Sequence, residues 1–251
     1  MLTAQRKQHL MDLLRRDGRL VARTLSSQFK VSEDTIRRDL REMARGGLLQ
    51  RVHGGALPAS PAMGDIKARS QIAPGEKAAI GRVAAQLVQP GQVVFIDGGT
   101  TAIELVRHLA PGLNATVITH SPPVAVELLA HPGIEVIMLG GRLFRHSIVA
   151  VGAATIEAIG RLRADLYFMG VCSLHPEAGL STGDFEEACV KRALCRAAAE
   201  TIVLAPSEKL STASPYQVVE LSAIGGIVAA SSLDAAQLAP YRQRGITIYP
   251  A

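Results

Sequence analysis

The chain is poor in cysteine, with three in 251 residues, and none is arranged to trap a metal. Cys172, Cys189 and Cys195 form no C-x-x-C pair and have no histidine cluster beside them, so neither a metal site nor a metal cofactor is expected. So sparse and odd a set fits a reducing, cytoplasmic setting. The opening residues MLTAQRKQHL are polar and basic with no apolar stretch behind them, so no secretory signal is expected. Long apolar runs are missing too: none approaches the roughly 18 residues that a membrane-spanning helix requires, and no membrane partner is expected. Repeats and low-complexity tracts are absent. Excess charge is missing from most of the chain, because beyond residue 58 there are 15 Lys and Arg against 16 Asp and Glu.

What is present is an ordinary globular composition, 48% hydrophobic and 20% charged, long enough for one large or two modest domains. The net charge of +5 is concentrated: residues 1–58 carry twelve Lys and Arg against six Asp and Glu. All of the positive excess therefore lies in the first quarter, which points to a polyanion partner for that quarter alone.

The first quarter reads as three short helices and a hairpin. Leu10, Leu13 and Leu14 lie on one face of a helix that Gly18 stops. Leu25 and Phe29 mark a second helix. A third starts at Ser32, whose hydroxyl suits an N-cap, while Glu33 and Asp34 suit the positive end of the helix dipole. Ile36, Leu40 and Met43 then share a buried face, which turns Thr35, Arg37, Arg38 and Arg41 outward. Leu48 to Val52 reads as a strand and His53-Gly54-Gly55 as a tight turn. The pattern predicts a winged helix-turn-helix, whose second helix enters a major groove by its N-terminal turn. Arginine suits that place because its fork binds phosphate and guanine bidentately. The glycines of the wing are expected where backbone approaches a sugar-phosphate chain.

Residues 59–74, with the proline-rich LPASPAMGD leading into them, read as a linker. From residue 75 to 251 apolar strands alternate with helices, which predicts an open, largely parallel α/β sheet covered on both faces. Such sheets bind ligands at the carboxyl ends of their strands. Asp97-Gly98-Gly99-Thr100-Thr101 closes one strand and opens a helix, whose free N–H groups attract an anion. Thr119-His120-Ser121, Gly140-Gly141-Arg142 and the loop from Ala205 to Lys209 stand at the ends of others. Cys172 follows a fourth strand and reads as a small packing residue at that edge. Hydroxyls, glycines, Arg142 and Lys209 converging there would make a phosphate pocket.

The stretch TLSSQFKVSEDTIRRDLREMARGGLLQRVHGGA resembles the DeoR family of bacterial transcriptional regulators, and the likeness runs through nearly the whole chain. The resemblance implies a DNA-binding domain over residues 1–58, with its helix-turn-helix near 20–39. It assigns DNA contact to Arg19, Ser32, Glu33, Thr35, Arg37, Arg38, Arg41, Arg51, His53, Gly54 and Gly55. It implies a sensor and oligomerisation domain over 75–251, like sugar-phosphate isomerases and acetyl-CoA transferases, with Glu187 and Lys191 joining the effector loops. The implied partners are operator DNA, a phosphorylated sugar or similar anion, and one or three further copies of the chain. Two departures stand out: His120 replaces an asparagine of the family pattern, and Pro206 an aspartate.

A second reading is an isomerase or acyltransferase carrying a DNA-binding appendage, with Asp97 and Glu187 as the available general bases. A third, a non-specific nucleic-acid binder, would not need discrete effector loops.

Overall fold

A computed structural model describes residues 2–61 and 64–251; Ala62 and Met63, inside the expected linker, lie outside the described residues. The N-terminal region runs α1 (Thr3–Asp17), β1 (Leu20–Val21), α2 (Ala22–Phe29), α3 (Glu33–Arg45), β2 (Leu49–Val52) and β3 (Gly55–Pro58). Leu10 and Leu14 of α1, Leu25 of α2 and Ile36, Leu40 and Met43 of α3 pack into one core with Leu20, Leu49 and Ala56. The expected hairpin is there, and β1 adds a third strand, giving the order β1-β3-β2. The hydroxyl of Ser32 caps α3 by accepting from the Thr35 amide at 3.2 Å.

Two charges counted toward the positive face do not reach it. Arg6 and Asp39 are both buried and pair with each other, stapling α1 to α3. Removing one partner strands the other charge away from water. Asp39→Ala is expected to destabilise the N-terminal domain by about 3 kcal/mol, the lower end for such pairs because this domain is small. Urea denaturation followed by helix circular dichroism would check it; an unchanged midpoint would mean that water reaches the pair.

The expected linker 59–74 contains a short helix, α4 (Ile66–Ser70), and after it come α5 (Pro74–Ala85), β4 (Val93–Ile96), α6 (Thr100–Arg107), β5 (Ala115–Thr119), α7 (Pro122–Glu127) and β6 (Ile134–Met138). A hairpin of β7 (Arg142–Phe144) and β8 (Val149–Val151) precedes α8 (Ala153–Gly160) and β9 (Ala164–Gly170). Then follow β10 (Ser173–His175), β11 (Gly179–Thr182), α9 (Phe185–Ala197), β12 (Ala198–Ala205), β13 (Tyr216–Val219), β14 (Gly226–Ala229), α10 (Ala235–Arg242) and β15 (Thr247–Pro250).

Seven strands form one sheet in the order β15-β14-β12-β9-β4-β5-β6, and every neighbouring pair is parallel. Alternation along the strands feeds two cores. Val94 and Ile96 pack toward Ile80 and Leu105 on one face, while Phe95 packs toward Ile159 and Leu194 on the other. The predicted α/β class is therefore realised, and both sheet faces are covered as continuous apolar strands require. Among the described residues no helix is long and apolar enough to cross a membrane.

The strand order has a consequence for function. From β4 the chain winds outward through β5 and β6, then returns to lay β9 on the opposite side of β4. The two adjacent strands part toward opposite directions, which opens a crevice at their carboxyl ends. Asp97 and Gly98 leave β4 at that crevice, and Gly170 leaves β9.

Candidate functional site

Asp97 is fully buried and sits beneath the crevice as the centre of a hydrogen-bond network. Its Oδ1 accepts from the Gly98 amide at 2.8 Å and from His120 Nε2 at 2.8 Å. Its Oδ2 accepts from Tyr167 OH at 2.9 Å, the Gly170 amide at 3.0 Å and Lys191 Nζ at 2.6 Å. Burial alone would push this carboxyl up, but Lys191 and His120 override it and hold the group well below the usual carboxylate range. Tyr167 is pushed far above the usual phenol range by burial, with Asp97 adding to the shift. Five donors on one carboxylate leave it no capacity to take a proton from a substrate. The general-base role open to Asp97 in the enzyme reading is thus removed.

His120 also lies below the site rather than in it. Its side chain is wholly buried, and Nδ1 points at the Ala150 carbonyl oxygen, 2.8 Å away. Both ring nitrogens therefore face oxygen atoms, which fixes the ring in place. Thr119 and Ser121 are buried beside it. The three residues support Asp97 and the Gly98 turn from behind.

Above this layer a cavity is lined by Gly98, Gly99, Thr100, Thr101, Cys172, Glu187, Lys191 and Lys209, all expected from the sequence. The turn into α6 needs its glycines for separate reasons. Gly99 adopts φ 126°, open to glycine, and a Cβ at Gly98 would collide with Val149. Thr101 presents a buried hydroxyl with no hydrogen-bond partner. Lys209 is buried, and burial pushes its amine down to about 8. Its ammonium makes no hydrogen bond among the described residues. Glu187 accepts from Thr182 at 3.5 Å and stands 3.9 Å from Lys191. The site thus combines unpaired donors and a cation with carboxylates that can receive hydroxyls.

The inner chamber is narrow, about 20 Å³, which is room for a water or two. An adjoining chamber of about 230 Å³ shares Arg69, Cys172 and Glu187 as a common wall. Arg69, Lys77 and Thr182 were missed by sequence reasoning, whereas Glu208 fell within the loop expected from Ala205 to Lys209. Glu208 and Lys209 lie on one short turn, whose first residue, Ser207, donates its amide and hydroxyl to Glu76. That anchor lies directly after Pro206, so the turn is held without the aspartate of the family pattern.

Gly141 and Arg142 stand apart from the cavity. A Cβ at Gly141 would strike Thr155, so this glycine serves packing, and Arg142 is exposed, 3.7 Å from Glu186.

At the N-terminal end, Arg37, Arg38 and Arg41 are exposed on α3 opposite Ile36 and Leu40. Arg37 is steadied by Glu33 at 2.7 Å, whereas Arg38 and Arg41 enter no hydrogen bond or ion pair among the described residues. The wing answers to different forces from those expected. Gly54 has φ 75° in the hairpin turn, and a Cβ at Gly55 would collide with the Leu20 carbonyl, so both glycines are explained by folding. Arg19 pairs with Glu177 at 2.6 Å, and with Arg51 and His53 it lines a cleft shared with His175 and Gln217. In this conformation those three residues face the second domain.

The family model of the DeoR-like helix-turn-helix domain matches residues 6–61, and that of the DeoR C-terminal sensor domain matches residues 72–231. The chain belongs to the DeoR family. It is 34% identical to the transcriptional regulator GlpR of Haloferax volcanii over 252 residues, covering 99% of this chain and 98% of that one. The transcriptional repressor GlcR of Bacillus subtilis is 32% identical over 217 residues, covering 86% and 83%. The glycerol-3-phosphate regulon repressor of Escherichia coli is 28% identical over 228 residues, covering 90% of each. Ribose 5-phosphate isomerase from Methanocaldococcus jannaschii aligns with a TM-score of 0.40 at 18% identity, over 55% of this chain and 54% of that one. As a DeoR protein the chain is a transcriptional regulator and not an enzyme, in keeping with the saturated carboxylate of Asp97.

Proposed function

We propose that this DeoR protein represses a carbohydrate-linked operon and is released from it when a phosphorylated polyol occupies the crevice between β4 and β9. The observation that carries the effector class is the unpaired Lys209 ammonium facing the amino end of α6 beside the partnerless Thr101 hydroxyl. A phosphate suits those donors. Glu187 and Glu208 on the same wall suit the hydroxyls of a polyol. The names of the relatives, which include regulators of glycerol phosphate and sugar operons, support the same class.

On the DNA side, α3 offers Arg37, Arg38 and Arg41 to a major groove, with Thr35 and Ser32 at its leading end. A helix-turn-helix protein of this kind reads paired half-sites as a dimer or a dimer of dimers. Exposed Val126 and Leu129, with Met138 on the edge strand β6, support self-association. The effector acts by linkage, binding better to the arrangement whose recognition helices do not fit the operator.

A thermal-shift screen of phosphorylated polyols tests the reading, since a ligand at about 100 times its Kd stabilises by roughly 2.7 kcal/mol. Lys209→Met should abolish that response while leaving operator binding intact. Wild-type affinity should fall as pH rises through about 8, because the amine that binds the anion then loses its proton. A hit that shifts Lys209→Met as strongly as wild type would move the sensor site elsewhere.

A further inference from the structure

The linker does not simply join the two domains: Arg69, from its helix α4, lines the effector cavity, and the residues around it are hydrogen-bonded to other wall residues. Helix α4 is capped by Asp65, whose side chain accepts from the Ala68 amide at 2.8 Å. The Ile66 amide donates to the His146 carbonyl at 3.2 Å, beside the outer chamber. Lys77, itself a wall residue, donates to the carbonyls of Arg69 at 2.5 Å and Ile72 at 2.6 Å. Nearer the DNA-binding domain, Ser60 donates to the carbonyl of Cys172, another wall residue. The Pro58 carbonyl, at the end of β3, accepts from the Ala213 amide at 3.0 Å. The chain leaving the winged domain is thus tied at successive points to the loops that enclose the cavity.

Arg69 is the side chain this path inserts. It lines both chambers, its Nη2 donates to Ser147 Oγ at 3.3 Å, and its Nε is buried with no partner. The buried Nε–H of this guanidinium, on the wall it shares with the unpaired Lys209 ammonium and the free Thr101 hydroxyl, lacks an acceptor. The inner chamber holds a water or two, and a phosphate with four oxygens needs more room than that. The outer chamber, about 230 Å³, has that room, and Arg69 stands on the wall it shares with the inner one.

We propose that Arg69 is a direct contact of the anionic effector, so that the linker forms part of the binding site and carries its occupancy to the DNA-binding domain. This rests on the effector-pocket reading above and adds a ligand residue together with the route of the signal. A phosphate held by Arg69 draws α4 toward Lys209 and Thr101. The displacement reaches Ser60 and the end of β3, which is the wing, through the cavity wall at Cys172. No separate lever is required, because the segment that grips the anion is covalently continuous with the hairpin.

The test uses the full chain and inorganic phosphate, against chloride at equal ionic strength. Calorimetry should show phosphate binding to wild type, and Arg69→Gln should weaken it about tenfold or more, with Arg69→Lys recovering part of the loss. Hydrogen–deuterium exchange over residues 64–73 should slow several-fold with phosphate in wild type and stay unchanged in Arg69→Gln. Thermal melts that match wild type without phosphate establish that both variants fold. Phosphate binding lost in Lys209→Met but unaltered in Arg69→Gln would overturn the linker's part while leaving the pocket standing. Exchange over 64–73 indifferent to phosphate in wild type would overturn the signal route. No phosphate binding to wild type would overturn both readings together.

Discussion

Asp97→Ala is expected to lose about 3–5 kcal/mol of stability, a large share of the roughly 5–15 kcal/mol that holds a typical domain. The reason is the partners left behind. Lys191 Nζ, the Tyr167 hydroxyl, His120 Nε2 and two backbone amides converge on this carboxylate in a wholly buried place. Removing it leaves a buried ammonium without its counter-charge and several donors without an acceptor. Asp97→Asn should fare little better, since its amide turns two donors toward groups that are themselves donors.

The pH dependence follows from the depressed carboxyl. A carboxyl held below its unfolded value contributes stability that is complete above about pH 4 and is lost as pH falls below it. Wild type should therefore show an acid-side loss that Asp97→Ala lacks, measured as urea midpoints from pH 6 down to pH 3. A change under about 1 kcal/mol in Asp97→Ala at pH 7 would mean that the carboxylate is not the hub of the network.

The second large effect is on DNA. Arg38→Ala combined with Arg41→Ala should reduce affinity for the region upstream of the protein's own coding sequence by roughly 100-fold or more, at about 1–3 kcal/mol for each arginine that reads a base. Neither side chain makes a hydrogen bond or ion pair among the described residues, and Arg38 exerts only a minor Coulombic pull on Glu42, so the thermal midpoint should move little. Fluorescence anisotropy across a salt series separates two roles. Loss of a phosphate contact lowers the salt slope by about one per arginine, while loss of a base contact relaxes sequence preference. Unaltered affinity in the double variant would remove α3 from the groove. Arg37 should matter less on its own, because Glu33 already neutralises part of its charge.

Local and tertiary causes divide the residues of this protein cleanly. Ser32 as a cap, the 36-40-43 apolar stripe and the outward arginines were legible because a helix is governed by neighbours three and four residues away. The parallel sheet was legible because strands buried on both faces are apolar throughout. The turn from Asp97 to Thr101 was legible as a strand end opening a helix. Pairings at long range carry no such trace. Asp39 looked like a surface charge until α1 brought Arg6 against it. Gly55 looked like a nucleic-acid contact, and packing against Leu20 accounts for it instead. His120 looked like a ligand residue and proved to be a prop for Asp97, 23 positions away.

By itself, then, the order of residues determined the main helices and the parallel strands, where positive charge gathers and which strand end opens a helix through a glycine turn. These follow from periodicity, capping and composition, all of which act within a few residues. Only the tertiary structure decided which side chains enclose the cavity and which lie beneath it. The strand order that sets β9 beside β4 is a global choice, and it brings Lys191, Lys209 and Arg69 from three distant segments to one crevice. Burial then reassigns their chemistry, because a charge that costs little in water must find a partner once water is excluded.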